Sequence, residues 1–267
     1  EVASDAERMA DESWMWCSRH AKLADGFTFT MPDTEKNQAE FPQPRTQKKG
    51  VGLPIARCVA IMSLATAMVM DVVLGPYKGK ETGESALLRQ MMKSLMAGDV
   101  VVFDRHYCSF MMIALLLNQN VDVCARLHQL RHTDFRKGRR LGKYDHIILW
   151  TKPVRPKWMD EETYATIPET LELRELRYAI VEKGKRTKLI TVVTTMTDVH
   201  KYTKEDIAEL YGYRWHSELD IRSVKDSLNL GHVRCKSPEM VRIEFRTTIL
   251  AYNLIRLTAA SAALRSQ

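Results

Sequence analysis

YGYRWHSELDIRSVKDSL, residues 211–228, is the stretch on which the reading of this chain turns. Tyr211, Arg214, Glu218 and Lys225 lie at offsets of 3, 7 and 14 from the tyrosine. On a helix turning about 100° per residue, those offsets fall at about 300°, 340° and 320°. The four side chains therefore share an arc of about 60°. Leu210, Ile221, Val224 and Leu228 form an adjacent apolar stripe suited to a core. The spacing predicts one long helix from about Lys204 to Leu228, ending near Gly231. Thr203-Lys-Glu-Asp206 introduces it in the form of a capping box, with Asp in place of the more usual Glu. A solvated edge held by pairs such as Arg214 with Glu218 is one reading of the polar row. A grip on an anionic ligand, built around a carboxylate, is the other.

Downstream, Pro238 to about Ala263 reads as a final helix. Upstream, the first half reads as a mixed α/β pattern. Leu23–Met31 alternates as a strand, Pro32–Gly50 reads as a loop, and Ile55–Leu64 and Ala67–Leu74 read as two buried strands ended by Gly75-Pro76. Thr82–Met96 has helical spacing, Val100–Phe103 is a short buried strand, Ser109–Leu117 an apolar helix and Val121–Leu127 another strand. Three strands, a helix, a strand, a helix and a strand make a core of helices on a sheet. Leu171–Val181 and Lys188–Thr195 are strand-like. Residues 1–20 mix acids, Met and Trp in a helix-like way. Because the chain opens at Glu1 in the middle of that pattern, it reads as a fragment of a longer protein.

The chain carries 40 Lys and Arg against 33 Asp and Glu, a net charge of +7 that favours polyanionic partners, nucleic acid first. Between Arg126 and Lys157, ten basic residues face only Asp134 and Asp145. This run, with Arg136, Arg139 and Arg140 at its centre, is either a DNA-backbone surface or a solvated basic loop. Binding through it should depend strongly on salt. Cys17, Cys58, Cys108, Cys124 and Cys235 are scattered, with no CxxC pair, which argues against a disulfide framework and a cysteine-built zinc site. The longest apolar run, Val59–Leu74, is broken by Ser63, Thr66 and Asp71, so no membrane span is expected. No signal peptide opens the chain. A reducing cytoplasm fits best.

With Tyr211, Arg214, Glu218 and Lys225 in this setting, the chain resembles the insertion-sequence-four family of DDE transposases, which is marked by a YREK helix. Leu23-Ala-Asp25-Gly26 and Asp104-Arg-His-Tyr107 resemble the family's first and second aspartate motifs. Thr194–Asp198 with Tyr202–Leu210 resembles the approach to the helix, and Ala251-Tyr-Asn-Leu254 the helix that follows. The resemblance covers about residues 20–260. It implies an RNase-H-like (retroviral-integrase-like) α/β core of mixed sheet and flanking helices with a β-rich insertion. Residues 1–20 would be the end of a truncated region, 21–128 the first part of the core, 129–200 the insertion and 201–267 the helices that complete the core.

It also implies a DDE triad of Asp25, Asp104 and Glu218. Two divalent ions about 3.5–4 Å apart activate water and stabilise a leaving oxygen in strand cleavage. Magnesium prefers oxygen ligands and keeps several waters, so a few carboxylates suffice; manganese substitutes. On local sequence Asp104 is equally a helix N-cap and Asp25 an ordinary turn aspartate. Tyr211, Arg214 and Lys225 would hold phosphates near the cut, with Arg105 beside them. Trp215, at about 40° and off the main row, would either stack on a base or pack on the helix. The implied partner is double-stranded DNA, transposon end and target, bound by a homodimer of the full-length protein in the bacterial cytoplasm. Two other readings stand beside this one: a nuclease of the same fold that cuts without joining, and an inactive DNA-binding remnant.

Overall fold

A computed structural model describes residues 2–48, 50–180, 188–214 and 231–266. The chain divides into two compact units, Glu1–Ser94 with Trp215–Gln267, and Leu95–Arg214.

In the first unit, β1 (Ala21–Thr30), β2 (Ile55–Ser63) and β3 (Val69–Pro76) form an antiparallel meander with β2 in the centre. Side chains alternate across the sheet. Phe27 and Phe29 of β1 lie against Phe245 of the long helix α7 (Pro238–Ser266), with ring centroids 6.4 and 5.5 Å away. The opposite face is covered by the helix at Glu84–Met91, called α3 in chain order, whose Leu87 meets the backbone at Gly75. Two short helices precede it. α1 spans Val2–Arg8, and its Glu7 forms a buried ion pair with Lys22 of β1. α2 spans Glu35–Glu40, capped by the Thr34 hydroxyl, which accepts from Asn37 N.

Two expectations for this unit are corrected. The helix of residues 1–20 stops at Arg8, and a 3-10 turn follows at Glu12–Trp14. Cys17 and Ser18 then take φ of 47° and 55°, which no continuing helix accommodates. The loop expected over Pro32–Gly50 contains α2, because Thr34 supplies the N-cap that the proline-rich composition around it obscures.

The Tyr252-Asn253 pair explains why α7 sits where it does. The Asn253 side-chain amide donates to Val69 O at 2.8 Å, and its oxygen accepts from Val69 N at 2.9 Å. Tyr252 donates its hydroxyl to Ala67 O at 2.8 Å. Together they hold the β2–β3 turn and the start of β3. Replacing Asn253 with alanine removes both amide bonds and leaves a buried backbone N–H and C=O short of partners. The expected loss is about 2–4 kcal/mol, read as a fall in Tm by thermal denaturation.

In the second unit, the strands run in the order β4-β5-β9-β8-β7-β6. β4 (Val100–Phe103) and β5 (Asp122–Arg126) are parallel and joined by α4 (Phe110–Leu117). All four β4 side chains are fully buried, as expected for a parallel strand covered on both faces. α4 is apolar on nearly every side and is buried accordingly. β6 (Arg139–Gly142), β7 (Asp145–Thr151), β8 (Thr170–Ile180) and β9 (Lys188–Thr194) continue the sheet beyond β5 in antiparallel register, with the short α5 (Glu161–Thr166) between β7 and β8. Residues 204–214 form α6. The Thr203 hydroxyl accepts from Asp206 N at 3.1 Å, and the Asp206 carboxylate accepts from Thr203 N at 2.8 Å, so the box closes reciprocally. No helix among the described residues is long and apolar enough to cross a membrane.

Candidate active site and nucleic-acid interface

Asp104 is the residue immediately after β4, where the strand leaves the sheet and the chain turns through Arg105 and His106 to Tyr107. Tyr107 N donates to Asp104 O, closing the turn at 3.1 Å. The helix that follows is capped by Ser109, whose hydroxyl accepts from Met112 N at 3.2 Å. Asp104 therefore has no capping duty. Its Oδ1 is buried and has no hydrogen-bond partner among the described residues. Full desolvation of a carboxylate oxygen is costly unless something compensates it. A divalent cation is a compensating group of the right charge and hardness.

Around Asp104, within the second unit, lie the first two members of the row read from the sequence. Tyr211 is 1% exposed and Arg214 7% exposed. With Ile207 and Leu210 they make one buried stripe on α6, so Tyr211 and Arg214 join the apolar side of this helix in the structure. The Arg214 guanidinium carbon is 5.8 Å from the Tyr211 ring centroid. The Tyr211 hydroxyl is buried without a hydrogen-bond partner among the described residues. Burial pushes its pKa well up; Arg214 opposes the shift, and the Asp104 charge adds to it. Tyr178 of β8 is raised for the same reason, with Arg126 and Arg214 opposing. Tyr211 thus lies within electrostatic reach of Asp104, Arg126 and Arg214, and Tyr178 within reach of Arg126 and Arg214.

Arg126 also lines a cavity of about 290 Å³, with Arg105, Arg131 and Arg177 together with His128 and His132. No carboxylate of the described residues lines it. Among the described residues none of the four arginines forms an ion pair, and three of them are positioned by other contacts. Arg105 donates to Gln129 Oε1 at 3.3 Å, and Arg177 donates from Nε to Thr191 Oγ1 at 2.9 Å. Arg131 lies over the Trp150 ring at 3.6 Å, and Trp150 in turn donates to Glu175 at 3.0 Å. Four cations around one hollow, with no ion pair among the described residues, suit a phosphodiester. Arg177 and Thr191 were not singled out in the sequence. They arrive through the β8–β9 pairing, more than fifty residues from Arg126, and no local spacing announces that.

Arg136, Arg139 and Arg140 of the basic run do not line this hollow. Arg136 makes a two-bond pair with Asp134, at 2.8 and 3.0 Å, and these bonds hold the Asp134 carboxyl down at about 2. Arg139 is 3.9 Å from Glu172, and Arg140 bonds Gly142 O at 3.5 Å. All three are exposed on or next to β6.

Asp25 lies in the first unit. It was expected at the start of the first strand, but β1 begins at Ala21, so Asp25 is inside it, paired in register with Ala60. Polar Lys22 hid the true start, since it is buried by pairing with Glu7. Asp25 is half-buried, accepts from Gly26 N at 2.8 Å, and shares its face of β1 with Phe27 and Phe29. On the other face, a methyl at Gly26 would meet Glu84 Cδ at 2.8 Å, so glycine leaves room for the first carboxylate of α3. Trp215, Glu218 and Lys225 lie outside the described residues. Among the described residues no three His, Cys, Asp or Glu are grouped to hold a metal ion.

Comparisons with known proteins bear on this arrangement. Residues 17–254 match the family described as Transposase DDE domain. Over 253 residues the chain is 29% identical to the transposase InsG for insertion sequence element IS4 of Escherichia coli (strain K12), covering 90% of this chain and 52% of that protein. Its fold is similar to that of the piggyBac transposase, solved as a synaptic complex with hairpin DNA, with a TM-score of 0.55 at 8% identity over 92% of this chain and 48% of that one. The chain thus spans about half the length of each. The likeness bears out the mixed α/β class expected from the order of elements and is consistent with the RNase-H-like fold that the family resemblance implied.

Proposed function

The chain belongs to the Transposase DDE domain family, and on that premise we propose that it carries the catalytic core that cuts transposon-end DNA and joins it to target DNA. Membership in the family implies a divalent-metal-dependent reaction; we take the metal to be magnesium, as two ions, with manganese as a substitute. Asp25, Asp104 and Glu218 would hold them. When bound, the ions supply a water activated for attack and stabilise the leaving oxygen. The observation that supports this most is Asp104: its buried Oδ1 has no hydrogen-bond partner among the described residues, and it has no capping role.

The protein's own part is positioning. Arg105, Arg126, Arg131 and Arg177 offer guanidinium donors to backbone phosphates beside the cut. Tyr211, within reach of the Asp104 charge, and Arg214 beside the Tyr211 ring would offer a hydroxyl donor and a cation to the reacting phosphate. Trp215 and Lys225 complete the grip on the transposon end. Arg136, Arg139 and Arg140 form an outer, more weakly committed surface, because Arg136 and Arg139 each face a carboxylate of the protein. The reaction runs in two steps. Water hydrolyses a phosphodiester at the transposon end, and the freed 3′-hydroxyl attacks a phosphodiester of the target, releasing a target 3′-hydroxyl. We propose that the full-length protein works as a homodimer in the cytoplasm.

The experiment is incubation of this chain with an end-labelled transposon-end duplex, a target plasmid and Mg²⁺. Nicking followed by labelled, joined plasmid is the expected result. Nicking without joining favours the nuclease of the same fold, and absence of both with DNA binding intact favours the inactive remnant.

Tyr211 gives a sharper test of the site. Its hydroxyl is buried without a partner among the described residues, so Tyr211→Phe should leave Tm unchanged or slightly raised. If the hydroxyl meets DNA phosphate, the same change should weaken end binding about tenfold, equivalent to one charge-assisted hydrogen bond. Thermal denaturation and a binding titration on one preparation separate the two effects.

A further inference from the structure

The first unit holds a second cationic hollow, on the face of the sheet opposite Asp25. It has a volume of about 840 Å³ and lies between the loop around Arg45, the start of β2 and the turn from Tyr77 to Gly83. Arg45, Arg57, Lys78 and Lys80 line it, and no carboxylate of the described residues does. Arg45, Lys78 and Lys80 form no ion pair among the described residues. Arg57 is fixed: it donates to Thr82 O at 2.8 Å, stacks on the Tyr77 ring at 4.6 Å, and has Glu84 4.0 Å from its Nε. Register pairs Arg57 with Thr28, on the α3 face of β1, three residues along the strand from Asp25 and across the sheet from it. An adjoining hollow of about 540 Å³ shares Arg45 and Lys78 but is bounded by Asp33 and Glu35, so the cationic strip ends there.

We propose that this strip seats the backbone of a duplex DNA segment other than the one at the reacting phosphodiester. Three cations without an ion pair among the described residues, with one fixed guanidinium behind them, match a row of phosphates, and phosphate contacts carry no base identity. The contact is therefore sequence-independent. The proposal rests on the transposase reading for its partner. The segment is either DNA flanking the transposon end or target DNA, since both present the same phosphates.

The test is the salt dependence of binding. Each phosphate contact contributes about 0.9 to the slope of log K against log[salt] on duplex DNA. The triple variant Arg45→Ala, Lys78→Ala, Lys80→Ala should lower that slope by about 2–3 on a long duplex, with an unchanged circular-dichroism melt. The variant Arg45→Lys should keep the parent slope. Two probes identify the segment: an end duplex with or without a long flank, and an unrelated plasmid. A loss seen only with the flank assigns the strip to flanking DNA, and a loss on the plasmid assigns it to target. An unchanged slope on both probes overturns the proposal. Metal-dependent nicking of a short end duplex is read in parallel. A parent chain that does not nick counts against the transposase reading alone, whereas an unchanged slope in a chain that nicks counts against the strip alone.

Discussion

Asp104→Asn is expected to reduce metal-dependent DNA cleavage by about 10³-fold or more, a barrier increase of about 4 kcal/mol. Asparagine keeps the shape of the side chain and one oxygen, but it loses the charge that a hard divalent cation needs. The structural effect should be small. The Oδ1 of Asp104 has no partner among the described residues, and the following helix is capped by Ser109, so folding loses little. DNA affinity should hold or rise, because the change removes a negative charge beside the phosphate-binding arginines. Cleavage rates, end-binding titrations and Tm on the one variant separate these effects. A variant that cleaves at the parent rate removes Asp104 from the chemistry; one that fails to fold assigns it a structural role.

The second large effect concerns stability. Arg174 is 1% exposed and Asp145 5%. Arg174 donates from Nε and Nη2 to the two Asp145 oxygens at 2.9 and 2.6 Å, and from Nη1 to Tyr202 O at 2.6 Å. This single guanidinium ties β7 and β8 to the residue that precedes the Thr203 cap of α6. Asp145→Ala leaves it buried with its countercharge gone, which is expected to destabilise the chain by about 3–5 kcal/mol. The second unit should melt first, and because Tyr211 and Arg214 ride on α6, DNA-end binding should weaken before unfolding is complete. Replacing Arg174 and Asp145 together with methionine and leucine should recover much of the loss, since an apolar pair of similar volume is often as stable as a buried ion pair. Denaturant melts of the single and double variants check both statements. A single variant within about 1 kcal/mol of the parent would mean that the pair contributes no more than an exposed one.

How far the sequence anticipated this structure depended on how local the cause was. β4 was read to the residue, because four consecutive apolar residues between a turn and an aspartate have few other uses. α4 and the Thr203–Asp206 box were read for the same reason: apolar run and cap are adjacent in sequence. Met62, Met68, Met91, Met92, Met111 and Met112 are buried and fill the core.

β6 and β7 were missed. Their residues fall in the basic run, and two buried polar groups mask the pattern: Asp145 is paired with Arg174, and His146 bonds Lys137 O at 2.7 Å and faces Glu175 at 3.3 Å. Each is satisfied by a residue at least nine positions away, which no periodicity reveals. The same holds for the arginine hollow, where β8 and β9 bring Arg177 and Thr191 to Arg126. The polar row of the decisive helix was legible as a row, but not as a buried one. Burial of Tyr211 and Arg214 follows from what packs on α6, not from their spacing.

The central claim is that Asp25, Asp104 and Glu218 meet around divalent ions. Anomalous diffraction from crystals of this chain bound to transposon-end DNA and soaked in Mn²⁺ tests it most directly. The account predicts two manganese peaks about 3.5–4 Å apart, each within about 2.0–2.6 Å of oxygens from these three carboxylates. Manganese bound elsewhere, with no peak in coordinating reach of Asp104, would contradict it.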